Sequence, residues 1–203
     1  CINLESNIKI SGETMGTSYS IIISDFQKNN LSKNILKEKI DSTLNSINNQ
    51  MSTYLEDSEI SKFNTINVDY IYPSQDFKNV LSYAYNLSNS TNGLFDVTVS
   101  PLVRLWGFST NQDKYIPPTD TQIKKIVSNI GNHTWFLNED KLLKNNHKVE
   151  IDVNSIAKGY AVDKISYILK NLGYNGYMVE IGGEVYCSGL NNEGEKWKIG
   201  IDF

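Results

Sequence analysis

The residues best suited to chemistry lie in one run: Glu150-Ile151-Asp152-Val153-Asn154-Ser155-Ile156-Ala157-Lys158-Gly159-Tyr160-Ala161-Val162-Asp163. A carboxylate, small polar residues, a lysine and a glycine sit where two apolar patterns meet. Val149, Ile151 and Val153 alternate as one face of a strand. Ala161, Ile165, Ile168 and Leu172 recur at helical spacing, with Gly173 as a stop. A tight strand-to-helix turn aims backbone N–H groups and the positive end of the helix dipole at one spot. Lys158 adds a full charge there, and Asn154 and Ser155 can turn carbonyls toward a hard cation. A phosphate and metal cradle is one reading. An ordinary strand–helix junction with a solvated lysine is the other.

Further candidates are scattered along the chain. Thr14-Met15-Gly16-Thr17 sets one methionine beside a glycine, and a thioether is a good lid for an aromatic ring or a plug for a core. Met51-Ser52-Thr53-Tyr54 is a small-polar loop whose tyrosine can stack on a ring or cover a core edge. The stretch from Thr91 to Phe108 includes Gly93-Leu94-Phe95-Asp96-Val97-Thr98-Val99 and Arg104, an arginine better suited to a surface salt bridge than to an anion site. Gly182-Gly183 is a turn that can leave room for a phosphate or simply reverse the chain. His133 and His147 are the only histidines, and such residues are commonly structural.

The elements that must position these groups follow from periodicity. Residues 8–24 read as a hairpin turning through Ser11 to Gly16. Leu36, Ile40, Leu44, Ile47 and Met51 make the stripe of a helix over 32–51, and a short helix follows through Phe63. Ser74 caps a helix with Phe77, Val80, Leu81, Ala84 and Leu87 inside, ended by Asn92-Gly93. Phe95 to Val99 reads as a short strand, and Ser100-Pro101 opens a helix that packs Leu102, Leu105 and Trp106 inward. Thr119 with Gln122 makes a capping box for a helix carrying Ile123, Ile126, Val127 and Ile130, stopped by Gly131. Strands are expected over His133–Leu137, His147–Val153, Tyr177–Ile181, Glu184–Cys187 and Lys196–Phe203, with a polar connection at Asn138–Asn146. The alternating Trp197, Ile199 and Ile201 would leave an apolar edge if nothing followed.

A chain of 203 residues with 39% hydrophobic and 21% charged residues is a globular one. A net charge of −4 and the lack of a basic stripe exclude nucleic acid as the main partner, while an anionic ligand needs only local positive groups. No apolar run spans a bilayer. Cys1 and Cys187 are too few and too far apart for a disulfide framework or a zinc site. The polar start Cys1-Ile2-Asn3-Leu4-Glu5-Ser6 fits a mature bacterial lipoprotein with a lipid-bearing cysteine, and equally an arbitrary starting point.

In order, Thr14-Met15-Gly16-Thr17, Met51-Ser52-Thr53-Tyr54 with Ser58-Glu59, Gly93 through Val99, Pro101-Leu102 with Leu105-Trp106-Gly107-Phe108, Asp152 through Asp163, Ile181-Gly182-Gly183 and Trp197-Lys198-Ile199-Gly200-Ile201 resemble the ApbE-type FAD:protein FMN transferases. The resemblance covers essentially the whole chain. It implies an α+β fold, with a mixed, largely antiparallel sheet and about four packed helices. Residues 1–7 would form a lipoprotein-like lead-in and 8–203 the flavin-transferase domain. By resemblance, Met15 and Tyr54 contact the flavin, Leu94, Phe95 and Asp96 line the FAD site, Asp152 and Lys158 also contact FAD, and the Ser155 carbonyl is one Mg2+ ligand. The implied reaction moves FMN from FAD to a Thr or Ser hydroxyl of a target flavoprotein subunit in a redox complex, with AMP leaving.

The family's C-terminal part, with a His-x-x-Asp-Pro segment and the carboxylate and threonine that complete the magnesium site, has no counterpart in these residues. Asn154 stands where many members have glycine or another small residue. The alternatives are an FAD-binding module without transfer, or a pyrophosphatase releasing FMN and AMP. The expected location is the bacterial cell envelope, on the periplasmic or extracytoplasmic face, with a lipid on Cys1 as the membrane link.

Overall fold

The computed structural model describes residues 7–26, 31–65, 67–108 and 117–200. The α+β expectation holds, with all pairing antiparallel and divided between two sheets; six α-helices are present among the described residues. The chain forms two compact units, one of residues 1–48 with 157–203 and one of residues 49–156. No helix among the described residues is long and apolar enough to cross a membrane.

The first unit is built on a four-stranded sheet of order β1-β2-β6-β7. It comprises β1 (Ile8–Thr14), β2 (Thr17–Ile23), β6 (Tyr177–Ile181) and β7 (Glu184–Ser188). Cross-strand partners Ile8 and Ile23, Ile10 and Ile21, Ile21 and Val179, and Tyr19 and Ile181 share its buried face. Period-2 alternation puts this whole set inside together, so the register is fixed by burial. Two helices pack on it. From α1 (Lys33–Met51), the buried stripe Leu36, Ile40, Leu44 and Ile47 matches the periodicity. From α6 (Asn154–Asn171), Ala157, Ala161, Ile165 and Leu169 are buried. The Tyr177 hydroxyl donates to the Ser166 carbonyl at 3.1 Å, tying β6 to α6. The Tyr19 hydroxyl donates to Asp41 Oδ1 at 2.5 Å, tying β2 to α1.

The hairpin turn is tighter than periodicity suggests. Ser11 to Thr14 continue β1, and only Met15 and Gly16 turn, with φ of 52° and 70°. Two left-handed residues make the turn whose twist suits a hairpin, and Met15 occupies a position usually given to Asn, Asp or Gly. The strand expected over 196–203 does not form in its described part. Residues 196–200 are irregular, with the Trp197 indole N–H donating to the Ser188 carbonyl at 3.0 Å; residues 201–203 and the Cys1 lead-in through residue 6 lie outside the described residues.

The second unit holds α2 (Glu59–Asn64), α3 (Gln75–Ser90), α4 (Ser100–Leu105), α5 (Asp120–Val127) and a three-stranded sheet of order β3-β5-β4. That sheet contains β3 (Tyr70–Ile71), β4 (Trp135–Leu137) and β5 (Leu142–Lys144). The expected polar connection at 138–146 thus contains a strand, because Leu142 is fully buried opposite Leu137. Ser58 caps α2 through its side chain, and Thr119 with Gln122 forms the expected capping box. Ser74 caps α3 by position without a side-chain bond. Helix α4 is capped at Val99, one residue before Ser100. Its Leu102 and Leu105 are only half-buried and Trp106 is exposed, so the helix rests on the surface of its unit. Helix α5 ends at Val127, short of Ile130, and none of its residues is fully buried.

Two expected strands are absent for the same reason. Residues 95–99 form turns, because the Asp96 carboxylate captures the backbone N–H of Thr98. Residues 147–153 join no ladder, although Val149, Ile151 and Val153 are buried as alternation requires. Side chains replace strand partners here, and α6 begins at Asn154 directly after this segment.

Candidate functional site

The supposed polar turn at 154–159 is helical. Asn154 opens α6, Ser155 is its second residue, and Lys158 and Gly159 lie within it. Asp152 prepares this start: its Oδ1 accepts from the Asn154 N–H at 2.8 Å, and its Oδ2 accepts from Asn154 Nδ2 at 3.2 Å. A carboxylate just before a helix satisfies an orphan donor and complements the dipole. Gly159 is therefore not a turn glycine, and a side chain there would meet nothing within 4 Å.

In the second unit, three stretches meet at Asp152. The Asp152 N–H donates to the Val97 carbonyl at 2.7 Å, joining it to the Phe95–Thr98 turns. Asn154 Nδ2 reaches Thr53 Oγ1 at 3.5 Å, at the edge of hydrogen-bonding distance, which brings in the Ser52–Tyr54 loop. That loop is itself pinned, because the buried Ser58 hydroxyl donates to the Ser52 carbonyl at 2.6 Å. Asp96 Oδ1 accepts from the Thr98 N–H at 2.8 Å and from the Thr98 hydroxyl at 2.6 Å. Thr98 Oγ1 in turn accepts from the Gly131 N–H at 2.8 Å. Thr98 is buried, so the relay fixes the Asp96 carboxylate and leaves Oδ2 without a partner among the described residues.

Tyr54 and Leu94 project from these frames with 88% and 93% of their surface exposed, while Phe95 is half-buried. Large apolar surface held open by well-bonded loops is a feature of ligand-facing positions. Arg104 forms the surface salt bridge expected of it, with Nη2 2.6 Å from Glu150 Oε2. His147 Nδ1 lies 3.2 Å from Asp69 Oδ1, both well exposed.

The first unit holds Met15 and Lys158. Met15 is half-buried in its left-handed turn and helps line an open depression of about 610 Å³ formed by residues of the hairpin tip from Glu13 to Ser18. A residue other than glycine held at positive φ stores backbone strain, which tends to accompany function. The Lys158 stem is half-buried and its Cδ lies beside Gly182 at the β6–β7 turn, where Thr17 is also a neighbour of that glycine. Among the described residues its ammonium makes no hydrogen bond or ion pair. A packed stem with a free ammonium leaves that charge able to take an anion.

Oxygen donors dominate the candidate metal end: the Asp152 carboxylate, the Ser155 carbonyl and the Asn154 side chain. These suit a hard cation such as Mg2+. Among the described residues no group of three or more His, Cys, Asp and Glu side chains converges.

The family model for the ApbE family matches residues 15–202. The chain belongs to the ApbE family. It is 39% identical over 202 residues to the FAD:protein FMN transferase of Haemophilus influenzae, covering 96% of this ApbE chain and 58% of that protein. It is 36% identical over 204 residues to the FAD:protein FMN transferase of Vibrio cholerae, covering 100% of this chain and 60% of that one. The structure of the flavin transferase ApbE from Vibrio cholerae superposes with a TM-score of 0.89 at 36% identity, over 96% of this chain and 63% of that one. The apo flavinyl transferase ApbE of Pseudomonas stutzeri gives a TM-score of 0.88 at 30% identity, over 97% and 66%. This ApbE-family chain thus spans about three fifths of the curated relatives it matches.

Sequence patterns did not single out Asn64 or Thr98 as supports of these candidate residues. Asn64 acts on a backbone 87 residues away, a distance no local pattern encodes. Thr98 had a readable signal, since an Asp two residues ahead of a Thr often closes a side-chain turn.

Proposed function

We propose that this chain supplies the flavin-binding part of an FAD:protein FMN transferase. In the reaction, the Thr or Ser hydroxyl oxygen of a target flavoprotein bonds to the phosphorus on the FMN side of FAD. The anhydride bond to AMP breaks with the bridging oxygen leaving on AMP, and water takes the hydroxyl proton. Magnesium, when bound, neutralises charge building on the phosphate oxygens.

The observation that carries this reading is Lys158, an ammonium without a partner among the described residues, on a stem packed against a glycine turn. Its role is to hold the diphosphate and stabilise the charge on it. Within its own unit, Met15 offers a thioether at a strained turn, suited to cover a flavin ring. Within the other unit, Tyr54, Leu94 and Phe95 offer apolar contact to FAD. Asp96 and Asp152 are oriented carboxylates for its polar groups, and Asp152 also sets up the helix start that carries the Ser155 carbonyl for Mg2+.

The test is a fluorescence titration of FAD into the chain with Mg2+ present. Lys158→Ala raises the Kd about tenfold or more, the loss expected for a charge-assisted contact. Unchanged affinity would sink the assignment. Transfer is read by in-gel flavin fluorescence of a threonine-bearing acceptor protein.

A further inference from the structure

The turn between β6 and β7 contains two glycines in the left-handed region, Gly182 at φ 55° and Gly183 at φ 93°. Only one of them is crowded. A Cβ built on Gly182 would stand 2.7 Å from Thr17 Cγ2, 3.2 Å from Thr17 Oγ1 and 3.2 Å from Lys158 Cδ, whereas a Cβ on Gly183 would meet nothing within 4 Å. Both walls of this space are fixed. The Gly182 N–H donates to the Ser18 carbonyl at 3.1 Å, and the Gly183 N–H to Glu180 Oε1 at 2.8 Å. Thr17 closes the β1–β2 hairpin opposite Thr14.

We propose that Gly182 and Thr17 are positioning residues for Lys158: together they form a notch that sets the path of the lysine stem. A lysine stem is flexible, and fixing its ammonium on a ligand forfeits rotamer freedom. A notch that already restrains Cδ removes part of that loss before ligand arrives. The missing Gly182 side chain thus leaves room for the lysine that binds phosphate, not for the phosphate itself. The functional half of this inference rests on the phosphate-binding reading of Lys158; the structural half does not.

Two readouts on the whole chain separate them. The first needs no flavin: the rate at which an amine-reactive ester acylates Lys158, followed by peptide mass spectrometry. Gly182→Ala displaces the stem and speeds that rate about threefold, whereas Gly183→Ala, whose φ of 93° suits alanine no better but which meets no collision, leaves it unchanged. The second is FAD affinity. Gly182→Ala weakens it about three- to tenfold, Gly183→Ala by less than about twofold, and Gly182→Ala adds nothing in a Lys158→Ala background. Equal behaviour of the two alanine variants in the labelling assay overturns the positioning role, as does a Gly182→Ala effect on FAD that persists without Lys158. If Lys158→Ala binds FAD as well as the unaltered chain does, the phosphate role falls and labelling alone decides the notch. Should Gly182→Ala fail to fold, Thr17→Ser removes the 2.7 Å methyl and widens the notch; unaltered Lys158 labelling in that variant is the overturning result.

Discussion

Asn64 closes both backbone hydrogen bonds of Ile151: its Nδ2 donates to the Ile151 carbonyl at 2.9 Å, and its Oδ1 accepts from the Ile151 N–H at 2.8 Å. One side-chain amide thereby does the work of a neighbouring strand for the segment that presents Asp152. Ile151 is fully buried, so neither of its backbone groups has access to solvent as a substitute.

Asn64→Leu keeps the branched shape, in a somewhat larger side chain, and removes both bonds. It should lower stability by about 2–4 kcal/mol, from two buried backbone groups left unsatisfied. Urea unfolding monitored by circular dichroism measures it. A change within about 0.5 kcal/mol, the range of ordinary surface substitutions, would show that the segment finds other partners.

Thr98→Val retains shape but deletes the hydroxyl that links Asp96 to the Gly131 N–H. Destabilisation of about 2 kcal/mol is expected, together with weaker FAD binding as the Asp96 carboxylate loses a donor. Thr98→Ser keeps the hydroxyl and should recover FAD affinity; if Ser and Val bind FAD alike, the relay does not serve the site.

Met15→Asn places the residue favoured in this left-handed turn and should raise stability by about 1 kcal/mol. The thermal midpoint should rise while FAD affinity falls, because the thioether is lost. A variant that is both more stable and fully competent in FAD binding would remove Met15 from the flavin contacts.

The cluster of Tyr19, Lys37 and Asp41 gives stability a pH dependence on both sides of neutrality. Burial pushes the Asp41 carboxyl up, but hydrogen bonds from Lys37 and Tyr19 outweigh it and leave the pKa below its ordinary value of 3.8. This contribution is present above that value and is lost as pH falls through the lowered one. The hydrogen bond to Asp41, then that to Tyr19, raise Lys37 above 10.5; burial, then the hydrogen bond to Asp41, raise Tyr19 above 10.0. Their contributions are present below those values and fade as pH climbs through the raised ones. Lys37 and Asp41 are each about two-fifths exposed, so solvent keeps both effects small. Asp41→Asn should flatten the acid limb of a plot of thermal midpoint against pH, and an unchanged slope below pH 4 would argue against the coupling.

Local patterns revealed much of the fold. The α1 stripe, the Thr119 capping box, the β6–β7 hairpin and the buried alternation of Val149, Ile151 and Val153 are all present as periodicity and cap chemistry require. Two of the departures arise where a side chain competes with the backbone. Asp96 bends 95–99 away from a strand by binding Thr98, and Asn64 stands in for the strand partner that alternation at 149–153 implied. Lys158 and Gly159 looked like a turn because both are polar or small, yet Asp152 caps a helix that starts before them.

The sequence by itself determined which faces are buried, where most helices start, and the ordered motifs that mark the ApbE family, because these depend on residue types at short spacing. The tertiary structure decided what holds the motif residues in place: Asn64 on Ile151, Thr98 between Asp96 and Gly131, and Gly182 beside Lys158 and Thr17. Asn64 and Ile151 are 87 residues apart, and Thr98 and Gly131 are 33 apart. Only folding brings such pairs within bonding distance. The same holds for the run from Asp152 to Lys158: its residue types suit an anion and a hard cation as readily as a plain strand–helix junction, and only folding sets the lysine stem beside Gly182.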